Sequence, residues 1–244
     1  MFSLRVLCFL FMALVGIASR SEASIITVPI GLAAGSQYRL VFITTGLYMA
    51  TSTSISTYNN DVATEVAGIP QLAALGATWT TIASTEAVSS TSNIGSSPAS
   101  VGIYLLDGTT LVANGTGVTG TGLFSGSILS PIHIYDNGTT NTGVAVWTGS
   151  TPAGTPNTGS ALGDALASIG DSSQQTSRWI EVPNELFGTD ISVSLYGISS
   201  VLTVPSSATP EPGSTVLAAL GLGLLLLVPR SRKFRPGHAT LTEC

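Results

Sequence analysis

Apolar and polar positions change rhythm several times along the chain. Val6 to Ile17 is a continuous apolar run. Tyr38-Arg39-Leu40-Val41-Phe42-Ile43-Thr44 is rich in β-branched and aromatic residues and predicts a strand. Ile55, Tyr58, Val62 and Val66 recur at three- and four-residue intervals, which places them on one face of a helix. Ser52 to Ser56 supply capping hydroxyls before it, and Gly68 and Pro70 would end it. Leu72, Ala73 and Leu75 predict one more helical turn, stopped by Gly76, and Thr78 to Ile82 a second strand. Beyond Ser84 the chain becomes Ser-, Thr- and Gly-rich with short apolar islands. Strands are expected at Val101 to Leu106, Leu111 to Ala113, Gly143 to Gly149, Arg178 to Ile180 and Ile191 to Tyr196. Asp107-Gly108, Asn114-Gly115 and Asp136-Asn137-Gly138 are turn signals between them. Thr151 to Ser160 reads as loop, and Ala161 to Gly170 as a weak helical turn or loop. A last apolar run, Val216 to Val228, contains four consecutive leucines from Leu224 to Leu227.

Charge and cysteine usage matter once the two apolar ends are set apart. Between Ser24 and Thr209 only Arg39 and Arg178 are cationic, against ten acids, a net charge of −8. Such a segment is repelled by nucleic acid and by anionic lipid head groups. Cys8 and Cys244 both fall outside it, so this segment holds no disulfide, thiol nucleophile or zinc-finger ligand set. Its length suits one domain with one core.

The two ends read as processing signals. Arg5 followed by Val6 to Ile17 is a basic start and an apolar stretch, and Ser21-Glu22-Ala23 places small residues where a signal peptidase cleaves, between Ala23 and Ser24. At the other end come Pro210-Glu211-Pro212, an apolar stretch of 15 residues from Ser214 to Val228, and the basic cluster Arg230, Arg232, Lys233 and Arg235. Pro-Glu-Pro cannot enter a helix interior, and the run is short of the roughly 20 residues of a comfortable bilayer span. The basic cluster would stay on the cytoplasmic side. In these three parts the chain resembles the PEP-CTERM sorting signal of exported Gram-negative and planctomycete proteins. The resemblance implies an exosortase as partner, transient residence in the inner membrane, and delivery to the cell surface or the extracellular matrix. The resulting division is 1–23 signal helix, 24–204 exported domain, 205–209 linker, 210–235 sorting signal with its hydrophobic helix, and 236–244 tail.

Within residues 24–204, a strand, a helix, a short helix and then strands with long loops predict a single loop-rich α+β domain. An all-β sandwich is the alternative, and helicity at Ile55 to Val66 separates the two. Trp79 to Ser84, Ile103 to Thr109, Val146-Trp147-Thr148-Gly149, Trp179-Ile180 and Leu195 to Ile198 resemble a C-type-lectin-like or endostatin-like domain. That resemblance implies a Tyr-bearing strand closing the fold against the first one, and binding to extracellular polysaccharide. It also draws attention to Glu181-Val182-Pro183-Asn184-Glu185. C-type lectins use a Glu-Pro-Asn loop to hold Ca²⁺, and Glu181, Asn184 and Glu185 supply hard oxygen donors of that type, around an inserted Val182. Asp164 and Asp171 could add carboxylates, and solvated loop acids are the simpler alternative.

No catalytic set is apparent. His133 stands between Ile132 and Ile134, and Gly170-Asp171-Ser172-Ser173 is similar to the nucleophile block of GDS-type esterases but follows no hydrophobic strand. Gly-x-Ser-x-Gly and phosphate-binding glycine loops are absent. Trp79, Trp147 and Trp179 sit in apolar segments and are expected in the core. The expected role is therefore a non-catalytic, lectin-like or structural component of an exopolysaccharide matrix. A secreted enzyme acting on matrix polysaccharide through paired carboxylates is the alternative.

Overall fold

The computed structural model describes residues 24–206. The signal sequence expected at 1–23 and the sorting motif at 210–235 lie outside the described residues. Two strands organise the domain. β1 (Gln37–Ile43) is buried from Tyr38 onward, and β9 (Ser192–Ser199) is buried at every position after the first. They pair antiparallel, Val41 with Ile198 and Ile43 with Tyr196. Strands covered on both faces are apolar throughout and do not alternate, which is the pattern of Leu40 to Ile43.

The remaining strands extend this pair in both directions. On one side β4 (Gly102–Leu105) runs parallel to β1, and β5 (Leu111–Asn114) returns antiparallel to β4. On the other, β6 (Ala145–Trp147) lies parallel to β9, followed by β7 (Leu166–Asp171) and β8 (Leu186–Gly188), each antiparallel to the one before. Three short strands complete the mixed sheet. β2 (Tyr48–Met49) and β3 (Trp79–Thr81) pair with β9, and β10 (Leu202–Thr203) pairs with β1.

Among the described residues there are three helices: α1 (Ile55–Ala67), α2 (Pro70–Ala73) and α3 (Ser90–Ile94). α1 buries Tyr58, Val62 and Val66, the positions its sequence periodicity predicts. Its start differs from expectation. Ser54 stands at the cap position, but its Oγ meets Ser56 Oγ at 2.8 Å, and the Tyr58 hydroxyl ties down the entry instead. That hydroxyl donates to Ser52 O (2.7 Å) and accepts from Ser52 N (2.9 Å). The helix is present where the choice between an α+β domain and a pure sandwich turned. The domain is thus a loop-rich mixed sheet with few helices.

Two local expectations are corrected. Ala161 to Gly170, expected as a weak helical turn or loop, is loop only as far as Ala165 and then enters β7. Arg178-Trp179-Ile180 is not a strand: Arg178 and Trp179 lie in a single 3₁₀ turn, Ser177–Trp179, that Ile180 caps. The two corrections have one cause. A Cβ at Gly170 would collide with the Trp179 carbonyl, so the bare glycine lets the turn press directly onto β7. Trp179 then stacks against Tyr196 at 5.7 Å, and the Tyr196 hydroxyl donates to the Trp179 carbonyl at 3.0 Å.

The loop-rich half has no disulfide and is held by hydroxyls. Ser84, Thr148, Ser150 and Ser172 are fully buried. Ser84 Oγ meets Ser150 Oγ at 2.8 Å and accepts from Ser90 N, while Ser150 Oγ donates to Thr148 O. The bonds to Ser90 N and Thr148 O each remove a buried backbone group from the tally of unpaired donors and acceptors, at about 1 kcal/mol net.

The outer edge of β3 is closed by side chains. Asn59 of α1 and Asn93 of α3 exchange amide hydrogen bonds of 2.8 and 2.9 Å. Asn59 Oδ1 also accepts from Thr81 N (2.9 Å), and Asn93 Nδ2 donates to Thr81 O (2.8 Å).

Candidate functional site

The segment Glu181 to Glu185 is a turn. Glu185 N donates to Val182 O, Pro183 takes the second position and Asn184 the third, with φ of 63°. Asn tolerates the left-handed region better than most residues, and Pro-Asn is the expected pair for a turn needing it there. This chemistry accounts for the residue types without a bound ion. Glu181 is engaged by another loop: its Oε1 accepts from Asn157 Nδ2 at 3.1 Å. Asp164 accepts from Ala161 N, and Asp171 from the backbone and hydroxyl of Ser173 and from Gln174. Asn184 and Glu185 are exposed.

Glu185 and Asp171 face a common space. They line an open cleft of about 350 Å³ with Thr142, Ser173, Val144, Ile169, Val182 and Phe187. Its lining mixes hydroxyls and carboxylates with apolar side chains, and Phe187 meets Trp147 edge-on at 6.2 Å. All three tryptophans are buried as expected. Ser172, from the esterase-like block, is fully buried and bonded to Asn141 Oδ1 and Val144 N. His133 Nδ1 sits 2.9 Å from Pro131 O, in its own loop.

A second acidic group lies elsewhere, where β1 turns into β2 beside α1. Ile43 and Tyr135 form a parallel bridge, and Asp136 N donates to Ile43 O at 2.8 Å, which swings the Asp136 side chain beneath Thr45. Asp136 is fully buried. Its Oδ2 takes two long hydrogen bonds of 3.3 Å, from Thr45 N and Thr45 Oγ1, and its Oδ1 takes none. Burial pushes this carboxyl up to about 6. The Thr45 backbone pulls against that shift, and Glu65 adds to it by charge and as a hydrogen-bond partner. Glu65 reaches in from α1, its Oε1 accepting from Tyr48 OH at 2.7 Å. Gly46 makes the approach possible, since a Cβ there would coincide with that oxygen. Burial also raises Asp61, one helical turn before Glu65. Burial, the bond to Glu65 and the charges of Glu65, Asp61 and Asp136 raise the Tyr48 phenol.

In the sequence Asp136 reads only as the first residue of a turn. The turn is real, Gly138 N donating to Tyr135 O at 2.9 Å, but the inward side chain depends on pairing with Ile43. Among the described residues no three His, Cys, Asp or Glu side chains gather into a ready-made metal cage. Nor, among them, is any helix long and apolar enough to cross a membrane. No protein-family model matches the chain, and no curated protein matches it.

Proposed function

We propose that this is an exported bacterial surface or matrix protein, sorted through a PEP-CTERM and exosortase route. Its folded domain acts as a non-catalytic, lectin-like binder or structural component of the exopolysaccharide. The sorting half of this reading rests on Pro210-Glu211-Pro212, the apolar stretch and the cluster of Arg230, Arg232 and Lys233. The binding half rests on one observation, the cleft lined by hydroxyls, carboxylates and apolar side chains together. Carboxylates and hydroxyls accept and donate to sugar hydroxyls, and an aromatic edge such as Phe187 offers a face to the sugar's C–H groups. A net charge of −8 favours neutral over acidic polysaccharide. Support for a C-type-lectin-like arrangement comes from the order of elements. A strand and two helices precede the loop-rich sheet, and the Tyr-bearing β9 pairs with β1.

Co-sedimentation of the exported segment, Ser24 to Thr209, with the producing organism's polysaccharide tests the binding half. Binding weakened by Glu185→Ala supports it, and no binding with either protein removes it. Release of reducing ends that disappears in the same variant would replace it with the enzymatic alternative. For sorting, Glu211→Ala is expected to leave unprocessed protein in the inner membrane. A wild-type fractionation pattern in that variant would sink the sorting assignment.

A further inference from the structure

We propose that Asp136 and Glu65, with the Thr45–Gly46 turn between them, bind one divalent hard cation of the calcium type. One buried carboxylate oxygen lacks a partner. Asp136 is fully buried, yet its Oδ1 meets no donor, and Oδ2 is met only at 3.3 Å. Buried carboxylates are ordinarily paired or fully hydrogen-bonded. Here the neighbour is a second carboxylate, with Glu65 Oε1 lodged against Gly46 and bonded to Tyr48. Among the described residues no cationic side chain is paired with them. Among the described residues the only Arg or Lys side chains are Arg39 and Arg178. Arg39 is held by the carbonyls of Ser199, Ile94 and Gly95, and Arg178 is exposed on the turn that buries Trp179.

Two carboxylates balance one divalent ion, and hard ions of this kind take oxygen ligands in irregular arrays. Asp136 Oδ1 and the second oxygen of Glu65 are the natural charged ligands. Thr45 Oγ1 and water on the exposed side of Thr45 supply neutral ones. The ligands come from the β1–β2 turn, from α1 and from the segment after Tyr135, so the ion would cross-link three parts of the chain. This site is separate from the Asp171–Glu185 cleft and does not depend on its role.

The test uses the purified full chain, stripped with chelator and titrated with CaCl₂ by calorimetry and thermal unfolding. One Ca²⁺ per chain and a saturable rise in melting temperature are expected. Glu65→Gln and Asp136→Asn should each weaken binding by at least about tenfold, and Glu185→Gln should leave it intact. Glu65 is half-buried, so its variant keeps the test valid should the Asp136 variant fail to fold. No response in the wild type to Ca²⁺ or Mg²⁺ overturns the proposal and leaves the two carboxyls sharing a proton. A response lost in Glu185→Gln but kept in Glu65→Gln overturns it as well.

Discussion

Arg39 and Asp136 are both charged and both buried, at 2% and 0% exposure, and they are treated in opposite ways. Arg39 directs Nε to Ser199 O at 2.6 Å, Nη2 to Ile94 O at 2.8 Å and Nη1 to Gly95 O at 3.4 Å. Two of those carbonyls end α3, where helix carbonyls lack partners and a cation is favoured. Burial lowers its pKa only to about 10, so it stays charged at neutral pH. Its partners tie α3, β1 and β9 together, and every nitrogen of the guanidinium meets a protein carbonyl. Asp136 has an oxygen to spare and a like charge beside it. Burial of a charge therefore says little by itself; the count of partners separates the structural residue from the candidate ligand.

Breaking the first member should have the largest effect. Arg39→Met keeps much of the volume but takes the guanidinium donors from Ser199 O and Ile94 O, while Gly95 O keeps Thr116 Oγ1, and should cost about 3 kcal/mol in urea unfolding. A loss below about 1 kcal/mol would mean that the carbonyls find other partners and the contrast fails. Asp136→Asn should move stability the other way. With chelator present, its amide can donate to Glu65 and one of two like charges is gone, for a gain of about 1 kcal/mol. A loss in the same assay would show that the native carboxyl is already satisfied.

Asp107 sharpens the comparison with the smallest effect. Burial pushes its carboxyl up, but hydrogen bonds from the hydroxyl and N–H of Thr110 and from Thr109 outweigh that and hold it below the usual carboxylate range. A folded-state pKa below the unfolded one means stability that is present above about pH 4 and lost as pH falls through the folded value. Asp107→Asn should flatten the pH dependence of the melting temperature in that acid range. An unchanged acid slope would show that these bonds do not favour the charged form.

The central strands and α1 were legible because their residues carry the signal locally. Tyr38 to Thr44 is β-branched and aromatic, and Ile55, Tyr58, Val62 and Val66 repeat at helical intervals. β7 was not, because Leu166-Ala167-Ser168-Ile169-Gly170-Asp171 shows no alternation and has Ile169 as its one β-branched residue. It is a strand because β6 and β8 flank it and because the Trp179 turn fits against Gly170. The short α3 was missed too, its Ser89 cap hidden in a run of hydroxyl residues where every position looks like a cap. Of the sequence-derived candidates, Glu185 and Asp171 share a cleft, whereas Glu181 does not join them. The Asp136–Glu65 pair was invisible for a different reason. Its two acids are 71 positions apart and meet only because Tyr135 bridges Ile43.

The Asn59–Asn93 pair bears on how copies of this domain behave beside one another. A bare sheet edge is an invitation to any extended chain, including another copy of the same protein. At Thr81 the invitation is already answered, since two amides offer the rung the donor and acceptor that a neighbouring strand would bring. A second molecule seeking to pair there would first have to dismantle four hydrogen bonds. The domain carries its own decoy strand, one residue long and drawn from two helices, so copies crowded side by side are steered away from annealing along β3.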